Sequence, residues 1–139
     1  MKKINISQIG VGYWGPNLLR NLSSNSKCDI INVADLSDER LKFVKSLYPS
    51  ISVTKEPEEI LNNDDIDAVV IATPVATHFD IAISCLERGK HILIEKPMAT
   101  TVDEVKQIGN LANEKGLIAM VGHTFLFNAA VRYIKDLID

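Results

Sequence analysis

The sequence predicts an α/β protein built on a doubly wound parallel sheet, three layers deep (αβα), with about six strands. Three observations carry that expectation. Short runs rich in branched apolar residues alternate with segments of helical periodicity along all 139 residues. Some of those runs, "DAVVIAT" at 67–73 above all, are apolar at nearly every position, as strands covered on both faces are. A glycine turn, "GVGYWG" at 10–15, stands between the first run and the first helix.

"INISQIG" (4–10) reads as a strand, and "PNLLRNLSS" (16–24) as a helix with Leu18, Leu19 and Leu22 at helical spacing. "DIINVAD" (29–35) is the second strand. "SDERLKFVKSLY" (37–48) sets Leu41, Val44, Leu47 and Tyr48 on one face behind Ser37 as N-cap, and Pro49 stops it. "ISV" (51–53) is a short strand, and "EPEEILNN" (56–63) a short helix with acids in its first turn, where the dipole favours them. After strand 67–73, Thr77 caps "THFDIAISCLERG", whose face is Phe79, Ile83 and Leu86 and whose C-cap is Gly89. "HILIE" (91–95) is a fifth strand, buried on both faces. Thr101 and Glu104 form a capping box for the next helix, which Gly116 ends. "LIAMVG" (117–122) is another buried strand. "NAAVRYIKDLID" (128–139) starts a last helix with Val131, Ile134, Leu137 and Ile138 on one side and no C-cap glycine. It reads equally as a connector to a further segment and as a helix packed back on this sheet.

Composition bounds the function. Hydrophobic residues make up 46% and charged residues 24%, the profile of an ordinary globular domain that buries its own core without a disulfide or metal staple. Net charge is −3 and no basic tract exceeds Lys2-Lys3, which argues against a nucleic-acid partner. No stretch reaches membrane-span length and the N-terminus has no apolar leader. Cys28 and Cys85 lie far apart and outside any C-x-x-C, as two buried or half-buried thiols of a reducing compartment would. The expected protein is cytoplasmic, away from membranes, and without a metal.

The glycine turn fits the phosphate-binding fingerprint of a Rossmann-type sheet because it follows a strand and opens a helix. Gly10 permits the tight turn, Gly12 lets a pyrophosphate approach the backbone, and Gly15 lets helix pack closely on strand. Free N–H groups and the dipole at the helix start then hold phosphate, and Pro16 costs nothing there. Asp35 lies 20 positions after Gly15 at the end of the second strand. Its carboxylate can accept the adenosine ribose hydroxyls and repels a 2′-phosphate, which favours NAD over NADP. Arg40 stands near enough to serve a phosphate instead, and the competing reading of Asp35 is a solvated strand-end acid or helix cap. Tyr13 and Trp14 offer backbone N–H groups, while their side chains either flank a cofactor or cover the helix start.

Ligands in open α/β sheets sit at the carboxyl ends of the strands. "ATPVATH" (72–78) follows the fourth strand there, "EKP" (95–97) the fifth and "GHTFLFN" (122–128) the sixth. Thr73-Pro74 also reads as a plain turn, and a lone His78 or His123 as a satisfied structural histidine. His91 begins a strand at the opposite end and reads as structural. Lys96 is different. A buried apolar strand that runs into Glu95, Lys96 and Pro97 bears a charge pair whose cost only a use would offset, and a lysine held beside a cofactor can shuttle a proton.

"GVGYWGPNLLRNL", "ATPVATHFDIAISCLERGKHILIEKPMATTVDEV" and "VGHTFLFNAAVRYIKDLI" together resemble the N-terminal half of the Gfo/Idh/MocA oxidoreductase family, that of glucose-fructose oxidoreductase and inositol dehydrogenase. "GYWGPN" and "GHTFLFN" are similar to its branch of nucleotide-sugar 3-dehydrogenases. The resemblance implies an NAD(P)-binding domain that transfers hydride to or from a hydroxyl carbon of a sugar, nucleotide sugar or cyclitol. It implies that Lys96 sits by the nicotinamide and the reacting hydroxyl, and that Glu95 helps build the cofactor pocket. Thr73, Pro74 and His78 would line the nicotinamide half, and His123 to Asn128 would lead toward substrate. Relatives continue into a substrate domain with further catalytic residues. Residues 1–122 are therefore expected to form the dinucleotide domain and 123–139 the start of a connector, with full turnover and homo-oligomerisation belonging to a longer chain. A stand-alone nucleotide sensor is the alternative from another class. An S-adenosylmethionine methyltransferase shares the glycine turn but gives EKP no purpose.

Overall fold

The computed structural model describes residues 3–139. The strands are β1 (Ile4–Ile9), β2 (Cys28–Ala34), β3 (Ser52–Thr54), β4 (Ala68–Ile71), β5 (His91–Ile94) and β6 (Ala119–Val121). The helices are α1 (Gly15–Ser23), α2 (Asp38–Leu47), α3 (Pro57–Leu61), α4 (His78–Glu87), α5 (Val102–Glu114) and α6 (Ala129–Ile138). Two 3-10 turns, Val75–Thr77 and Thr124–Phe127, precede α4 and α6.

The strands form one sheet in the order β3-β2-β1-β4-β5-β6, and every pair is parallel. Chain order reverses between β1 and β4, where Ile9 lies in register with both Ala34 and Ile71. A crevice opens at such a switch point, just beyond Gly10. Val33 and Ala34, neighbours on β2, divide between two cores, as the pleat requires. Val33 joins Leu19 of α1 and Val44 of α2. Ala34 joins Ile60 of α3, Leu86 of α4 and Ile108 of α5. The doubly wound, three-layer expectation holds, with all six strands at or near their expected bounds.

Local chemistry explains most boundaries. The Ser37 hydroxyl caps α2 by accepting from the Arg40 N–H. Thr101 and Glu104 make the full capping box at α5. Hydrogen bonds hold the Glu104 carboxyl below its usual range, chiefly the one from the Thr100 hydroxyl. Gly89 and Gly116, both at positive φ, follow α4 and α5.

Four local expectations need correction. Thr77 does not cap α4 with its side chain; its hydroxyl turns back to Thr73 Oγ1 and the Pro74 carbonyl because a 3-10 turn intervenes. The buried stripe of α4 is His78, Ala82, Cys85 and Leu86, rotated from the Phe79–Ile83 line, which is only half buried. Leu47 is exposed, because α2 presses only Leu41 and Val44 fully onto the sheet. β6 is not a buried strand. It is the sheet's edge, and Ile118 and Met120 are exposed there.

Candidate functional site

The glycine turn is fixed from several sides. Gly10 has φ +94, and a Cβ there would lie 2.6 Å from the backbone carbon and oxygen of Ala72. Gly10 N–H donates to the Ala34 carbonyl, and the N–H of Ala72 donates to that of Ile9, so β1, β2 and β4 meet at this point. A Cβ on Gly15 would approach the Gly10 carbonyl to 2.8 Å. Gly12 is different: its nearest neighbours would be 3.9 Å away, leaving the space above it open to the crevice. Among the described residues no acceptor meets the N–H groups of Gly12, Tyr13 or Trp14, and Trp14 at the N-cap of α1 has no side-chain cap. Open donors beneath an open cradle at a helix start suit a phosphate group. Tyr13 and Trp14 stack on each other with ring centroids 6.5 Å apart, and Tyr13 is almost wholly exposed.

Asp35 is neither solvated nor a helix cap. Its side chain is 6% exposed. One oxygen accepts the Val11 N–H at 2.7 Å and the other the Ser37 N–H at 2.9 Å, which ties the acid to the glycine turn. A carboxylate has about four acceptor positions, so two remain for ribose hydroxyls. Arg40 Nη1 stands 3.6 Å from the same carboxylate, on a largely exposed side chain.

Across the crevice, His78 is buried with Nδ1 2.9 Å from the Pro97 carbonyl and Nε2 2.8 Å from the Thr73 carbonyl. It braces the loop after β4 against the loop after β5. Glu95 is buried, accepts the N–H of Lys96, and presses on Gly122, where a Cβ would lie 3.1 Å from its Oε1. Lys96 corrects the sequence reading in one respect: it is exposed rather than buried, and the peptide bond to Pro97 is cis. Only the acid of the pair carries a burial cost.

Gly10, Gly12, Tyr13, Trp14, Asp35, Thr73, Pro74, His78, Glu95 and Lys96 all line one cleft of about 940 Å³. Gly15 stands behind it as a packing position. Arg40, Leu36, Pro57, Thr124 and Phe125 are among the other residues of its wall. His123 is not among the lining residues, and His91 sits at the far end of the sheet, where its Nδ1 accepts the Ile118 N–H. Sequence reasoning passed over Gln8, whose amide lies under the turn. The available signal was a long polar side chain two residues before the first glycine of the turn. Among the described residues no cluster of His, Cys, Asp or Glu could hold a metal ion, and no helix is long and apolar enough to cross a membrane.

The fold and cleft define a Rossmann-type dinucleotide-binding domain. Residues 4–123 match the profile described as "Oxidoreductase family, NAD-binding Rossmann fold", and the chain belongs to that Gfo/Idh/MocA family. It is 30% identical over 137 residues to the scyllo-inositol 2-dehydrogenase (NADP(+)) IolW of Bacillus subtilis, covering 96% of this chain and 38% of the relative. The structure of KijD10, a 3-ketoreductase from Actinomadura kijaniata in complex with NADP and TDP-benzene, superposes with TM-score 0.90 at 25% identity. That likeness covers 99% of this chain and 42% of KijD10. GenD2 from gentamicin A biosynthesis, in complex with NAD, superposes with TM-score 0.86 at 26% identity, over 91% of this chain and 36% of GenD2. The chain therefore spans about two fifths of these relatives' length.

Proposed function

We propose that this chain is the cofactor-holding part of a dehydrogenase that moves hydride between a nicotinamide and a hydroxyl carbon of a sugar, nucleotide sugar or cyclitol. One observation carries the reading: the open N–H groups at Gly12–Trp14, the Asp35 carboxylate and Lys96 line a single cleft at the switch point of the sheet. The N–H groups would take the pyrophosphate, and Asp35 the adenosine ribose. When bound, the nicotinamide supplies the hydride acceptor or donor. Lys96, open to solvent at the mouth of β5, relays the hydroxyl proton, and buried Glu95 fixes the backbone that presents it. His78 holds the loops on either side at a constant separation.

NAD is the favoured cofactor, since a 2′-phosphate would meet the Asp35 carboxylate. Arg40, beside it, is the residue able to weaken that preference. The free, buried Cys28 and Cys85 support a cytoplasmic setting. The substrate would be a small molecule, and the longer form a homo-oligomer. The test is Lys96→Ala in the longer chain that carries this domain, supplied with candidate sugars and followed by NADH absorbance. Turnover is expected to fall by about 10²–10⁴-fold while NADH affinity stays within a factor of two. Unchanged turnover excludes Lys96 as the relay. In that longer chain, cofactor binding without oxidation of any sugar or cyclitol supports the non-catalytic sensor.

A further inference from the structure

Gln8 stands on β1 between Ser7 and Ile9, and its register partners on both flanking strands are apolar. It lies in register with Val33 and Val70, on the face that α1 covers, and is 0% exposed. Its Nε2 donates to the Gly10 carbonyl at 2.8 Å and to the Gly15 carbonyl at 3.0 Å. Those are the first and last residues of the glycine turn. Its Oε1 meets no partner among the described residues. A buried amide with an unpaired oxygen is costly, and an aliphatic side chain here would avoid the cost. The amide's two bonds to the turn are what such a side chain could not supply.

We propose that Gln8 is a positioning residue for the phosphate-binding turn; the inference rests on the dinucleotide reading above. By joining the carbonyls at both ends of the turn, it directs them inward and leaves the N–H groups of Gly12, Tyr13 and Trp14 facing the cleft before a ligand arrives. The peptide unit between Gly10 and Val11 is gripped on both edges: Gln8 holds its carbonyl, and Asp35 accepts its N–H at 2.7 Å. A chain of hydrogen bonds thus runs from the ribose-side acid through the turn to the first residue of α1. Such a chain lets the ribose and phosphate contacts support each other.

The test compares ADP-ribose, which needs the turn, with adenosine, which needs only the Asp35 end. Gln8→Leu removes the donor, and Gln8→Glu keeps the shape while replacing the N–H groups with acceptors. In each folded variant ADP-ribose affinity by calorimetry is expected to fall about tenfold or more. Adenosine affinity by ligand-observed NMR is expected to stay within about twofold. Wild-type affinity for ADP-ribose in both variants overturns the role of Gln8 and leaves the cofactor reading standing. Equal weakening of both ligands also overturns it, as a general structural role would produce. A wild-type chain that binds no ADP-ribose removes the cofactor reading and this inference together. Should both variants unfold, the Gln8 side-chain amide protons of the free wild type decide. Protection from exchange is expected, and rapid exchange overturns the proposal.

Discussion

At the carboxyl end of β1 the chain closes on itself, whereas beyond β6 it lies open. The turn after β1 is bonded to β2 through Gly10 and Asp35, abuts β4 at Ala72, and reaches α1 through Gln8. Beyond β6, Phe125, Leu126, Phe127, Tyr133, Leu137 and Ile138 are all exposed. Both regions show clear sequence patterns. The difference teaches what each pattern encodes: a glycine spacing specifies a backbone path, while an apolar stripe specifies only a face that gains from cover.

Substitutions sharpen the contrast, beginning with the largest effect. Gly10→Ala meets both a left-handed backbone and a 2.6 Å approach to Ala72, so thermal or urea unfolding should show a loss of about 2–5 kcal/mol. A stable Gly10→Ala would mean that the turn is not locked as described. Ile94→Ala, fully buried at the end of β5, should cost a similar amount, about 2–5 kcal/mol.

A middle effect lies in the pH dependence of stability. Burial pushes the Cys85 thiol up from 9.0 to about 12, with the cations of Lys90 and Arg88 opposing. The folded state therefore favours the neutral thiol. That contribution is complete below 9.0 and is lost as pH climbs through the window to about 12. Denaturation across this window should show a steeper fall in the wild type than in Cys85→Ala; equal slopes would count against a buried thiol at α4. The smallest effect belongs to the open end. Ile134→Ala on α6, whose side chain is exposed, should change stability by no more than about 0.5 kcal/mol. A loss like that of Ile94→Ala would erase the contrast between the two ends.

The order of elements was legible because most strands are short runs rich in branched apolar residues and several helices carry a local cap or stop. Ser37, the Thr101–Glu104 box and the pair Gly89 and Gly116 work through local bonds and backbone preference, and local features can be read locally. The face of α4 was not legible. Its burial is decided by His78, a polar residue drawn inward by carbonyls at Thr73 and Pro97, one of them 19 positions away. The exposure of β6 follows from its place as last in the sheet, which periodicity does not record. At the site, spacing alone brought Gly10, Gly12 and Asp35 together. Gln8 escaped because its role depends on two carbonyls met only after the turn folds back.

Gly10 and Gly12 stand two residues apart and separate fold from function. Gly10 is needed by the backbone, while Gly12 has no neighbour closer than 3.9 Å to a would-be Cβ and, in the proposed function, serves only what enters the cleft. The most direct measurement is therefore a calorimetric titration of NADH into wild type and Gly12→Val, with unfolding followed in parallel. The account predicts one NADH bound per wild-type chain, unchanged unfolding in the variant, and a loss of affinity of about tenfold or more. Equal NADH affinity in the two folded proteins would contradict it.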